Sequence, residues 1–279
     1  MAYKTLLTVV TDLAAAKAQI ETAIAVARRR DAHLEILCMG IDRTQTGYYY
    51  AGAAAFVQQE ALERAQNDAR AIETAIKTRL ATEDIRWSSE AMVVQIGTVG
   101  TVVGMRARFS DLVIMGRPYG EGRGLEIEAA LESALFEGDV PVLIVPDGYT
   151  GEVPARRVII AWNQSNEALD AVRKSMPILK AAELVDITVI DPPAHGPERS
   201  DPGGQLSQYL VRHGVKCEVS VLAKTMPRIS DVLNRHLRDT NADLVVMGAY
   251  GHSRFREAIL GGATRHMLEL AETPVLMAH

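Results

Sequence analysis

The sequence predicts an α/β protein built from two tandem, doubly wound, five-stranded parallel-sheet domains with crossover helices. Three observations lead there. Short apolar runs of strand length alternate with longer stretches whose apolar residues recur at helical spacing, the pattern of a parallel sheet. The chain also repeats itself: residues 111–116 read DLVIMG and 243–248 read DLVVMG, while 140–145 read VPVLIV and 273–278 read TPVLMA. Finally, each copy opens alike, KTLLTVVTD at 4–12 and RRVIIAWNQ at 156–164, a basic residue followed by an apolar run and a polar stop.

In the first copy, strands are expected at 6–10, 34–39, 87–94, 112–115 and 142–145. A helix over 14–30 carries Ile20, Ile24 and Ala27 on one face. A longer one over 53–80 carries Phe56, Leu62, Ala69, Ile72 and Ile76, and both stripes are expected to cover the sheet. Tyr48, Tyr49 and Tyr50 precede the long helix as an interaction lip or as amphipathic cover. In the second copy the strands fall at 158–161, 185–190, 216–221, 244–247 and 275–278. The segment DPPAHGPERSD at 191–201 cannot support a long helix, so one crossover is pruned to a loop and a short helix. The glycine- and proline-bearing stretch PDGYTGEVP at 146–154 reads as a linker, which places the domains at 1–147 and 154–279.

Composition bounds the function. Apolar residues make up 48% of the 279 and charged ones 23%, enough for a large core. The net charge of -5 provides no basic field to hold a nucleic-acid backbone, so no nucleic-acid partner is expected. Nor does any apolar run reach membrane-spanning length, and the opening residues lack a signal-peptide core; the expectation is a cytoplasmic protein with no membrane partner. Cys38 and Cys217 read as buried reduced thiols. His252, His266 and His279 are too widely spaced for a metal motif, so no metal site is expected. Ser165 is tied to no recognisable His and acid pair and reads as a helix N-cap; no catalytic residue is assigned.

The chemistry concentrates in the last 37 residues. There an apolar strand runs into Gly248-x-x-Gly251, then nine residues, then Gly261-Gly262-Ala263-Thr264. Glycines after a strand expose backbone N–H groups, and a following helix adds its positive end, which together suit a phosphate. His252, Arg254, Arg256 and Arg265 add positive charge, and Ser253 stands beside them as a ligand contact or a turn cap. The bland alternative is that the glycines only turn the chain and let the helix pack closely. Counting back from Pro141 and Pro274, Gly261 maps to Glu128, Gly262 to Ala129 and Thr264 to Leu131. The first copy therefore loses the cradle, and Glu121, Glu126, Glu128 and Glu132 are expected to repel a phosphate there by roughly 1 kcal/mol per pair at 4 Å in water.

The opening strand with its polar stop, DLVVMG before the glycine-spaced loop, and the closing PVLM strand resemble the universal stress protein family, present twice over nearly the whole chain. The resemblance implies the adenine-nucleotide alpha-hydrolase-like fold, and ATP, with Mg, bound through a G-x-x-G-(nine)-G-[S/T] pattern. Carried over, the nucleotide-binding candidates are Ala161, Asn163, Gly248, Gly251, His252, Ser253, Gly261, Gly262, Ala263 and Thr264. Two departures stand out: Gly262 replaces the family's usual Ser or Thr, and Asn163 stands where nucleotide-binding members often have Asp. The function expected is an ATP-binding regulatory protein of the stress response, not an enzyme beyond weak ATP hydrolysis. The alternative is a dimerising scaffold that binds no nucleotide. In both, the closing strands are expected to pair the two copies as an internal pseudo-dimer, with a homodimer as further assembly.

Overall fold

A computed structural model describes residues 2–44, 51–120, 123–150, 156–192, 201–249 and 262–279. The first half contains β1 (Thr5–Val10), α1 (Lys17–Arg30), β2 (His33–Asp42), α2 (Ala51–Leu80), β3 (Arg86–Gln95), α3 (Val99–Ala107), β4 (Leu112–Gly116), α4 (Leu125–Phe136) and β5 (Val142–Val145). The second contains β6 (Arg157–Ala161), α5 (Asn166–Lys174), α6 (Met176–Leu179), β7 (Leu184–Ile190), α7 (Gly204–Arg212), β8 (Cys217–Leu222), α8 (Ile229–Thr240), β9 (Leu244–Gly248), α9 (Ala263–Leu270) and β10 (Val275–Ala278).

All ten strands lie in one sheet, ordered β3-β2-β1-β4-β5-β10-β9-β6-β7-β8. Within each half every neighbouring pair is parallel, so the two halves repeat one topology. The exception is the seam. There β5 and β10 pair antiparallel, with Val275 opposite Ile144 and Met277 opposite Val142, which is the expected pairing of the closing strands. The seam reverses direction, so the carboxyl ends of the first half's strands and those of the second lie on opposite rims. Each face carries an apolar core that crosses the seam. One packs α1, α2, α5, α6 and α7, and the other packs α3, α4, α8 and α9.

The repeated Asp of the DLV motifs explains itself locally. Asp111 Oδ2 accepts from the backbone N–H groups of Lys4 (2.7 Å) and Thr5 (2.9 Å), and Asp243 Oδ2 from those of Arg156 (2.7 Å) and Arg157 (3.0 Å). In each half this carboxylate pins the start of the opening strand against the fourth.

The long helix departs from expectation. Ala69, Ile72 and Ile76 are buried, but Phe56 is 74% exposed and Leu62 is exposed as well. Length is the reason: 30 residues of helix span about 45 Å, whereas the 10-residue strands beneath span about 33 Å. Its first turns overhang the sheet. In the second half the crossover is pruned as expected, and α7 buries only Leu206 and Leu210 among its large apolar residues. Strand β8 is consequently left with Val219 and Val221 exposed, and Cys217 is half-buried instead of buried like Cys38. Tyr48, Tyr49 and Tyr50 lie outside the described residues. No helix among the described residues is long and apolar enough to cross a membrane.

Candidate functional site

In a doubly wound sheet ligands sit at the carboxyl ends of the strands where the winding changes direction. In the second half that point lies between β6 and β9, which pair in register with Ala161 opposite Met247. Ala161, Asn163 and Gly248 therefore stand at one end of adjacent strands. Helix α9 joins the parallel neighbours β9 and β10 and must run back along them, so its first residues, Ala263 and Thr264 after Gly262, start at the same rim.

Each residue has a local role there. Asn163 is exposed, and its Oδ1 accepts from Ser165 N–H (3.1 Å), with Gln164 between them at φ 63°. This turn leaves the Asn163 amide nitrogen pointing from a fixed side chain. Ser165 caps α5 by accepting from Ala168 N–H at 3.1 Å, as its sequence context predicted. Gly248 is fixed by packing: a Cβ there would lie 2.6 Å from Ala168 N and 2.8 Å from Glu167 C, so the glycine lets β9 meet the first turn of α5. At the start of α9, Gly262 offers no side-chain cap, while Thr264 is buried at 3% exposure. Gly251, His252, Ser253 and Gly261, with Arg254 and Arg256, lie outside the described residues.

The equivalent point of the first half, between β1 and β4, holds a cavity of about 290 Å³. Its lining includes Asp12, Gln19, Arg43, Arg117, Arg123 and Glu126. Buried Gln19 closes the crevice between the strands: its Nε2 donates to Thr8 Oγ1 (2.7 Å) and Val9 O (2.8 Å), and its Oε1 accepts from Gly116 N–H (2.8 Å). Glu126, 4% exposed in the first turn of α4, accepts from the two terminal guanidinium nitrogens of Arg43, from Nη1 at 3.2 Å. Arg123 pairs with Asp147, and Glu128 accepts from Tyr119 OH at 3.3 Å. The expected repulsive carboxylate field is thus corrected at Glu126, which Arg43 neutralises in a cavity that three arginines line. Sequence reasoning missed Gln19 and Arg43. Gln19 left one signal: with Thr22 it is one of two polar residues on the helix face that carries Ile20, Ala23, Ile24 and Ala27.

Among the described residues no group of three or more His, Cys, Asp or Glu side chains could hold a metal ion.

The architecture is that of a doubly wound α/β protein with one switch point in each half. Residues 154–279 match the model of the Universal stress protein family. The second half is therefore similar to a universal stress protein domain over its whole length. A curated relative, Universal stress protein Slr1230 of Synechocystis, is 26% identical over 180 residues, which cover 60% of this chain and 57% of that protein. The match thus spans just over half the relative's length. A universal stress protein from Archaeoglobus fulgidus superposes with a TM-score of 0.75 over 99% of this chain and 96% of its own, at 13% identity. A putative universal stress protein from Pseudomonas aeruginosa does so with a TM-score of 0.58 over 99% and 93%, at 14% identity. At those identities the likeness establishes the fold alone.

Proposed function

We propose that the second half binds an adenine nucleotide at the carboxyl ends of β6 and β9, and that the protein is a ligand-controlled regulatory protein of the stress response with at most slow ATP hydrolysis. The observation carrying this reading is the start of α9. Its N-cap residue, Gly262, has no side chain to occupy the positive end of the helix, and the helix begins at the switch point just after the spaced glycines of the sequence. ATP fits that helix end through its phosphates. No cluster of carboxylates among the described residues would hold Mg²⁺ on its own, so the ion would arrive on the phosphates and take most of its ligands from them and from water.

Calorimetry with Mg·ATP on the full chain tests the reading, using wild type and Gly261→Glu, which installs the residue the first half carries at Glu128. Wild type is expected to bind. The variant is expected to lose at least about fivefold in affinity, since one like-charge pair at 4 Å costs roughly 1 kcal/mol even in water. No heat from wild type at millimolar ATP sinks the proposal, and equal binding by both sinks the role of the glycine loop. A scaffold that binds no nucleotide is the second reading, favoured by Gly248, whose missing side chain is already accounted for by its packing on α5.

A further inference from the structure

We infer that Arg117 and Tyr119 of the first half are positioning residues for α9, so that the half lacking the glycine pattern sets the nucleotide affinity of the half that has it. The inference rests on the nucleotide reading above. It begins with what α9 lacks. The helix has eight residues, about 12 Å or two turns, too short to hold itself by internal hydrogen bonds. It has no basic residue in its last turn, and it leaves through Ala271 at φ -61° and ψ 128°, an extended exit in place of the left-handed cap that would satisfy its last carbonyls.

The first half supplies that cap. Arg117 Nη1 donates to Glu269 O at 3.3 Å, and its Nη2 donates to Ala271 O. A guanidinium at a helix carboxyl end also meets the negative end of the dipole. Two residues on, buried Tyr119 lies under Arg265, whose guanidinium carbon is 4.7 Å from the ring centroid. Arg265 in turn donates from Nε to Glu269 Oε1 at 2.9 Å, and Tyr119 OH is anchored on Glu128 of α4. The reversed seam makes the contact geometrically available: residues following β4 stand on the rim where α9 ends, while α9 begins on the opposite rim beside Gly262 and Thr264.

The grip runs one way. The residue after Gly248 of β9 is Ala249, buried and without a charge, in the place that Arg117 takes after Gly116 of β4. The end of α4 is met instead by the His279 ring, edge-on to Phe136 at 4.5 Å. Cap and aromatic platform both fall on the helix that opens at the candidate phosphate position; the guanidinium that reaches the end of α4, Arg108 through Nε to Glu137 O at 3.2 Å, comes from the same half, and among the described residues none crosses the seam to it.

The test uses full-length Arg117→Ala, Arg117→Lys and Tyr119→Leu with two readouts, amide hydrogen exchange without nucleotide and Mg·ATP affinity. Arg117→Ala is expected to speed exchange in α9 and to weaken ATP about tenfold, as loss of hydrogen bonds from a charged donor implies, while amides of β9 keep their wild-type rates. Lysine, with one donor group in reach, should restore part of both effects, and Tyr119→Leu should give a smaller loss of the same kind. Unchanged exchange in α9 overturns the inference. So does acceleration spread equally over β9 and β10 with unchanged ATP affinity, the mark of a purely structural contact. If wild type itself binds no ATP, the nucleotide reading falls, and exchange in α9 alone decides whether Arg117 positions the helix.

Discussion

Replacing Gly248 with alanine asks whether that glycine is held by packing. The added methyl would sit 2.6 Å from Ala168 N, 2.8 Å from Glu167 C and 3.0 Å from Glu167 Cβ. The first two are backbone atoms in the first turn of α5, so relief requires moving the helix and its Ser165 cap. Overpacking of this kind costs about 1–3 kcal/mol. Alanine returns roughly 0.4–1 kcal/mol by restricting the unfolded chain, because Gly248 is not among the positive-φ residues. The net expectation is a loss of about 1–2 kcal/mol, a fall of roughly 2–8 °C in Tm for a cooperative unit of this size. Gly116→Ala is the internal control: its methyl would meet Gln19 Oε1 at 3.2 Å and Arg123 Nη1 at 4.0 Å, both side-chain atoms that can yield, and no backbone. Circular-dichroism melts of both variants check the ordering. A Gly248→Ala protein that melts at or above the wild-type temperature would refute the packing argument and return the glycine to a ligand role.

Other expectations follow from the same contacts. Asp243→Ala should cost about 2 kcal/mol by chemical denaturation, since two backbone donors lose a carboxylate acceptor, with Asp243→Asn less harmful. Asp186 on β7 is fully buried and bonded to His236 on α8 at 2.8 Å. His236→Leu should therefore destabilise by about 3 kcal/mol, and adding Asp186→Val should recover much of the loss in a double-mutant cycle. Burial, aided by the nearby Glu73 carboxylate, pushes the Cys38 thiol up to about 12. Iodoacetamide at pH 8 should consequently label half-buried Cys217 in the native protein and Cys38 only after unfolding, which peptide mapping reads directly.

The strands were the legible part of this fold. Central parallel strands are buried on both faces, so they appear as continuous apolar runs, and the predicted bounds at 142–145 and 275–278 coincide with β5 and β10. The paired motifs gave the topology, and the pruned crossover followed from proline and glycine at 191–201. Phe56 and Leu62 were misjudged because periodicity reports which face of a helix is apolar, without reporting how far the sheet beneath extends. The neutralised Glu126 was unreadable for a different reason. Its partner Arg43 follows another strand, 83 residues away, and carboxylates counted along the sequence say nothing of cations brought in by the fold. Arg117 left no sequence signature, because a helix cap donated from 152 residues away obeys no spacing rule.

The antiparallel seam between β5 and β10 bears on how an ion would find this molecule. Crossover helices run against their strands, so each half taken alone gathers its positive helix ends at one rim and would draw anions from a distance. Joined through reversed strands, the two sets of helix dipoles oppose each other, and each rim mixes positive ends from one half with negative ends from the other. With a net charge of -5 added, the far field offers an anion no guidance. An anion would therefore be selected only at contact, within a turn of a helix end, by the few donors that face it.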